Sequence, residues 1–128
     1  MLGMEIAIVA SAAETITQAE RAAILDAART PVSEALGKPV LFKVDALHHA
    51  GDWAFLRAEM QERGGAPVDY AGTSKAEAAR EGMVSRVYAA LLRRTGGRWK
   101  VVECAIGPTD VAWAGWAQHH GAPAAIFG

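Results

Sequence analysis

The sequence predicts an α+β protein: an N-terminal helix packed on a four-stranded antiparallel sheet of two hairpins, with a short C-terminal helix. Three observations point there. Residues 87–110 hold two apolar runs around Gly96-Gly97, a two-residue hairpin signal. Residues 40–60 alternate with a period of two around a second glycine. Residues 17–36 follow a helical period opened by a capping signature. One helix layer on one antiparallel sheet is the simplest way to bury elements in that order.

The helix begins at Thr17-Gln18-Ala19-Glu20, a capping box in which Thr17 and Glu20 satisfy each other's first-turn donors. Ala22, Leu25, Ala28 and Arg29 mark one side, and Ile24 widens the apolar stripe. Thr30-Pro31 interrupts the run, because proline lacks an amide donor and disfavours a helical predecessor. The expectation is one helix, kinked or split there, ending at Gly37.

In the second hairpin the Gly96-Gly97 turn sets Thr95 opposite Arg98 and Arg94 opposite Trp99. Counting on, Leu91 faces Val102, Ala89 faces Cys104 and Val87 faces Ile106. That face is wholly apolar; the other is mixed and holds Tyr88, Ala90, Leu92, Arg94, Trp99, Val101 and Glu103. In the first hairpin a three-residue loop, His49-Ala50-Gly51, separates polarity better than a two-residue Ala50-Gly51 loop. Val40, Phe42, Val44 and Ala46 then oppose Met60, Ala58, Leu56 and Ala54, leaving a mixed face with Lys43, Asp45, Trp53, Arg57 and Glu59. The two apolar faces form the expected seat for the helix.

Residues 61–82 lose both periods around Gly64-Gly65, Pro67 and Gly72, with Ser74 to Glu77 able to cap a short helix to Arg80. So long a connection is expected to be functional or mobile. After Ile106, Gly107-Pro108 ends the strand. Thr109 or Asp110 caps a last helix through His120, on which Trp113 and Trp116 share a side.

The chain has 128 residues, 52% of them hydrophobic, which fits one domain over residues 17–128 and excludes wholesale disorder. Residues 1–16 read as an N-terminal arm or a signal remnant: the run is apolar with Ala10-Ser11-Ala12 at its end, but Glu5 interrupts it and no basic region precedes it. The expected location is periplasmic or secreted, with cytoplasmic as the alternative. Thirteen basic and fourteen acidic residues give a net charge of −1, so no global field attracts nucleic acid. Arg93, Arg94, Arg98 and Lys100 cluster around the turn and are expected as solvated strand ends. No apolar run is long enough for a membrane span. Cys104 is the only cysteine, expected as a buried thiol.

The helix, the VLFKVDALHHAGDWAFLRAEM hairpin and the ALLRRTGGRWKVVE hairpin resemble the cystatin-like superfold, which includes the nuclear-transport-factor-2-like proteins. The GDWAFL segment and the GPTDVAW ending are similar to those of small, often exported bacterial proteins whose activity is not assigned. The resemblance covers roughly residues 18–127 and implies the fold; it implies no activity, since such folds host many functions. The Gln-x-Val-x-Gly tip of cystatin inhibitors is absent; the tips here are HHAGD and RTGGR.

No nucleophile elbow, P-loop, dinucleotide fingerprint or His-Glu-x-x-His occurs. The two histidine pairs, His48-His49 and His119-His120, invite a metal, but neighbouring residues diverge on a strand or helix and no carboxylate spacing completes a set. The expectation is no metal and no cofactor. Tyr88 diagonal to Glu103 is the best acid–base pair, if the mixed face is covered. Asp110 reads as a helix N-cap and Trp113 and Trp116 as packing anchors. Tyr88, Trp99, Glu103, Asp110, Trp113 and Trp116 are the candidate ligand-binding residues. The leading expectation is a non-enzymatic exported binding module, dimeric through the mixed face, with a small ligand or an envelope protein as further partner. The alternative is a small pocketed enzyme or ligand-binding protein of the nuclear-transport-factor-2-like type.

Overall fold

The computed structural model describes residues 13–128, and most of the signal-remnant reading falls outside them. Gln18–Leu36 forms one helix, α1, ending at Gly37 with a left-handed backbone (φ 72°) whose amide donates to the Ser33 carbonyl. Thr17 caps the start, accepting from the Glu20 amide at 3.1 Å. Pro31 lies inside α1 without splitting it. Proline costs a helix interior about 3 kcal/mol, whereas burying a residue such as Val32 or Leu36 returns about 1.5–3 kcal/mol each. Both are buried beyond the proline, so packing outweighs propensity. The core stripe is Ile24, Ala28, Val32 and Leu36, at strict i,i+4 spacing. Ala22, expected on that side, is exposed.

The sheet is a meander in the order β1-β2-β3-β4: β1 Leu41–Ala50, β2 Trp53–Gln61, β3 Val87–Thr95 and β4 Arg98–Ile106. Gly96 and Gly97 both have positive φ (61° and 79°), the requirement of a type I′ turn. Thr95–Arg98 and Arg94–Trp99 pair as the sequence indicates. Past Leu92–Val101 the register shifts, because Val102 is an extra residue and Leu91 pairs with Glu103. This β-bulge turns every later residue of β4 over. Cys104 and Ile106 therefore join Tyr88, Ala90 and Leu92 under α1, and the expected all-apolar set is broken up.

The first hairpin also differs from expectation. Ala50 pairs with Trp53 across a two-residue Gly51-Asp52 turn, and a second shift lies between Val44 and Ala46. Gly51, at φ 58°, takes the first turn position with a backbone that favours glycine. Phe42, Val44, Leu47, Ala54, Leu56, Ala58 and Met60 face α1. Trp53 and Phe55 face away.

That second face has its own cover. The predicted C-terminal helix shrinks to α3, Trp116–His120, followed by a 3-10 turn at Ala124–Phe127. Residue 115, not Asp110, stands at the N-cap of α3, and Asp110 is exposed. Trp116, Ala122 and Ile126 pack with Ala50, Phe55, Ala89 and Leu91 in a separate core.

The connection after β2 is tied down. Lys38 Nζ bonds Glu62 at 2.9 Å, and Glu62 also accepts from the Asp69 amide at 2.8 Å. The Lys38 ammonium and that amide hold the Glu62 carboxyl below its ordinary range. Val68 and Tyr70 are buried in the α1-side core. Helix α2, Ala76–Arg80, forms without a side-chain cap from Ser74 or any other residue. Gly107 has φ 71°, and a Cβ there would stand 3.0 Å from the Ser85 carbonyl and 3.1 Å from the Tyr70 hydroxyl, so the breaker glycine is required.

Candidate functional site

The six candidate residues separate across the sheet. Tyr88 is wholly buried on the α1 side, where its hydroxyl donates to the Ala28 carbonyl at 2.9 Å and its ring stacks on Phe42 at 5.2 Å. Burial pushes its phenol far above the ordinary range. Trp99 is on the same side. Glu103 projects from the opposite side, beside α3. The sheet itself thus separates Tyr88 from Glu103, and the acid–base pair expected from an unbulged register does not form. The bulge at Val102 is the physical reason, since one inserted residue exchanges the faces.

Trp99 belongs to a polar cluster where the start of α1 meets the two turns. Its Nε1–H donates to Glu20 Oε2 at 2.9 Å, and Arg94 donates to both Glu20 oxygens at 3.2 Å. The Arg94 guanidinium stands 5.1 Å from the Trp99 ring centroid and also bonds Asp52 Oδ1 at 3.1 Å. Asp52 and Glu20 keep the guanidinium charged more firmly than usual. Glu20 therefore reaches across to the sheet instead of closing the capping box. His49, 6% exposed, lies between Glu14 (3.6 Å) and Glu20 (3.8 Å). Glu14 bridges to the His49 backbone and takes the Gly51 amide at 2.9 Å, so the residues before α1 run along the β1 edge. Glu20, Arg94, Asp52 and Trp99 answer one another, which makes the cluster a clasp holding α1 on the turns, while the enclosed His49 keeps its Nδ1 without a hydrogen-bond partner. Glu20 was legible as a cap residue; its second role depends on the hairpins' relative placement, which no local pattern encodes.

Trp113 and Trp116 converge, as their spacing implies, but on Phe55, with ring centroids 6.1 and 6.3 Å away. Phe127 approaches the same ring at 4.7 Å. The tryptophans are anchors of the C-terminal cover.

Two open features remain on this face. The first is a surface groove of about 330 Å³ lined by Lys43, Asp45, Arg57, Glu59 and Val87. Arg57 Nε bonds Asp45 at 2.9 Å, and its guanidinium lies 5.9 Å from the Trp113 ring centroid. The second is the meeting of Glu103 with the end of α3: His120 Nε2 donates to Glu103 Oε1 at 2.5 Å. Glu103, His119 and His120 bring one possible ligand atom each to within 4.8 Å of one another. This set was invisible in sequence because the bulge decides which way Glu103 points.

Cys104 is half-buried on the α1 side, and that burial raises its thiol pKa, so it is a packing residue. No helix among the described residues is long and apolar enough to cross a membrane. No family model matches the chain, and no curated protein or solved structure matches it significantly.

Proposed function

We propose that the protein is a non-enzymatic binding module of the cystatin-like type that associates with a second copy of itself through the uncovered part of the sheet face opposite α1. The observation that carries this reading is the groove of Lys43, Asp45, Arg57, Glu59 and Val87. The C-terminal segment covers the turn end of that face and leaves this end open. The open patch holds two cations and two anions together with the aliphatic Val87. A two-fold contact uses the same patch twice, so a surface carrying both signs is self-complementary. The separation of Tyr88 from Glu103 supports binding over acid–base chemistry.

Sedimentation of the full chain over a concentration series tests this. The expected result is a concentration-dependent dimer that weakens in salt and is lost in Arg57→Glu with the circular dichroism spectrum unchanged. A monomer at every concentration up to the solubility limit sinks it. Export belongs to the same reading and rests on the apolar N-terminal run with its Ala10-Ser11-Ala12 segment and on the resemblance to often-exported small proteins. N-terminal sequencing of the protein from its native cell decides it: a chain still carrying residue 1 removes the exported location.

A further inference from the structure

We propose that Glu103, His119 and His120 form a binding site for a divalent transition-metal ion of the zinc class. The site differs in residues from the groove above and stands or falls separately from self-association.

Two elements build it. Glu103 is presented by β4 one residue after the Val102 bulge, so its carboxylate leans toward the C-terminal cover. Trp116, buried against Phe55, fixes the start of α3. Gly121, with φ 72°, ends the helix directly after His120. Vicinal residues on a continuing helix would diverge by about 100°. At this terminus both imidazoles come to the same place, their ring centroids 4.8 Å apart. Two imidazoles and one carboxylate are the donor set of a three-ligand zinc site that keeps a fourth position open. The exposure of His119 and the partial exposure of the other two leave that position to water or an outside ligand.

The ligand atoms need only a small adjustment. Metal–ligand bonds of about 2.0–2.2 Å place tetrahedral ligands about 3.4 Å apart. The ion would enter the His120–Glu103 hydrogen bond, widening 2.5 Å to that separation. His119 would close from at most 4.8 Å by rotation of an exposed side chain. Metal takes the imidazoles in their neutral form, so binding releases protons and acid expels the ion. Nitrogen and carboxylate donors suit zinc, and without thiolate they also accept nickel and copper.

The test is a calorimetric titration of the full chain with zinc chloride, repeated with cobalt(II) to read the visible absorption of a low-coordinate site. One ion per chain is expected, with a raised melting temperature, and affinity falling as pH is lowered. His119→Ala, at an exposed position, is expected to weaken binding by more than about tenfold while keeping the wild-type spectrum. Glu103→Gln is expected to weaken it and to abolish the tetrahedral cobalt signature. Failure of the wild-type chain to bind zinc overturns the site. So does binding that survives in His119→Ala, or that is lost in His48→Ala instead.

Discussion

The two faces of the sheet are covered in different ways. On one, a single helix of 19 residues lays Ile24, Ala28, Val32 and Leu36 along four strands, joined by Val68 and Tyr70 from the long connection. On the other, a five-residue helix and a 3-10 turn cover only the turn end, around Phe55, and leave the Lys43–Arg57 groove open. The first cover is long, periodic and clasped at its end by Glu20 with Arg94 and Trp99. The second is held chiefly by aromatic side chains on one ring. Stability therefore belongs mainly to the α1 side, while the groove and the His119-His120 set belong to the side with less to lose.

Adjacent residues of β2 give the sharpest contrast. Leu56 points to α1 and Phe55 to the C-terminal cover. Leu56→Ala is expected to lower global stability by about 2–5 kcal/mol, read from urea midpoints. The cover is tested at its own anchor. Trp116→Ala is expected to cost less, below about 3 kcal/mol, since a short terminal segment can settle back over the gap. Hydrogen exchange should accelerate over residues 113–127 while β2 and β3 stay protected. Uniform loss of protection throughout the sheet in Trp116→Ala would mean that the two covers form one cooperative unit.

The same contrast explains what could be read from the sequence. The α1 start, the Gly96-Gly97 turn, the strand pairs next to it and the layer order follow from local chemistry and period, and all occur. The faces do not, for two reasons. Ala89, Ala90, Leu91 and Leu92 are all fully buried, because β3 is a central strand covered on both sides there, so alternation carries no directional signal. The shifts between Val44 and Ala46 and at Val102 then reverse the facing of the residues beyond them, and neither is marked by glycine or proline. Choosing the loop that best separated apolar from polar residues thus favoured the wrong register at residues 49–52. A half-solvated sheet would have rewarded that argument; this one has apolar cover at the turn end of both faces. Trp113 and Trp116 were legible as anchors because three-residue spacing is local, whereas Glu103 with His120 is a contact across 17 residues and a bulge.

The clasp at the turn end is the next test of the comparison. Glu20→Ala removes the acceptor of Trp99 Nε1 and one of the two carboxylate partners of Arg94 together. A largely buried donor left unsatisfied costs about 1–3 kcal/mol, and the loss should be read as faster exchange in the first two turns of α1. If Glu20→Ala instead leaves α1 untouched and loosens residues 113–127, the assignment of the clasp to the α1 cover is wrong.

The smallest effect at neutral pH becomes the most selective one in alkali. Tyr88→Phe removes the bond to the Ala28 carbonyl and is expected to cost about 1 kcal/mol. Desolvation by burial raises the pKa values of Tyr88, Tyr70 and Cys104, all on the α1 side, from ordinary values of 10.0 for the phenols and 9.0 for the thiol. Between the ordinary and the raised value, the unfolded chain has released a proton that the folded chain keeps. Stability is therefore full below about pH 9 and falls as pH rises beyond it, most steeply above about pH 10, where the wholly buried Tyr88 contributes about 1.4 kcal/mol per pH unit. The C-terminal cover contributes none of these three groups. Tyr88→Phe removes one and should shallow the alkaline limb, so that the variant, less stable at pH 7, converges on the parent protein above pH 10. Urea midpoints for both proteins from pH 7 to 11 decide it: parallel curves would place the titrating group elsewhere and take the alkaline sensitivity away from the helix-covered face.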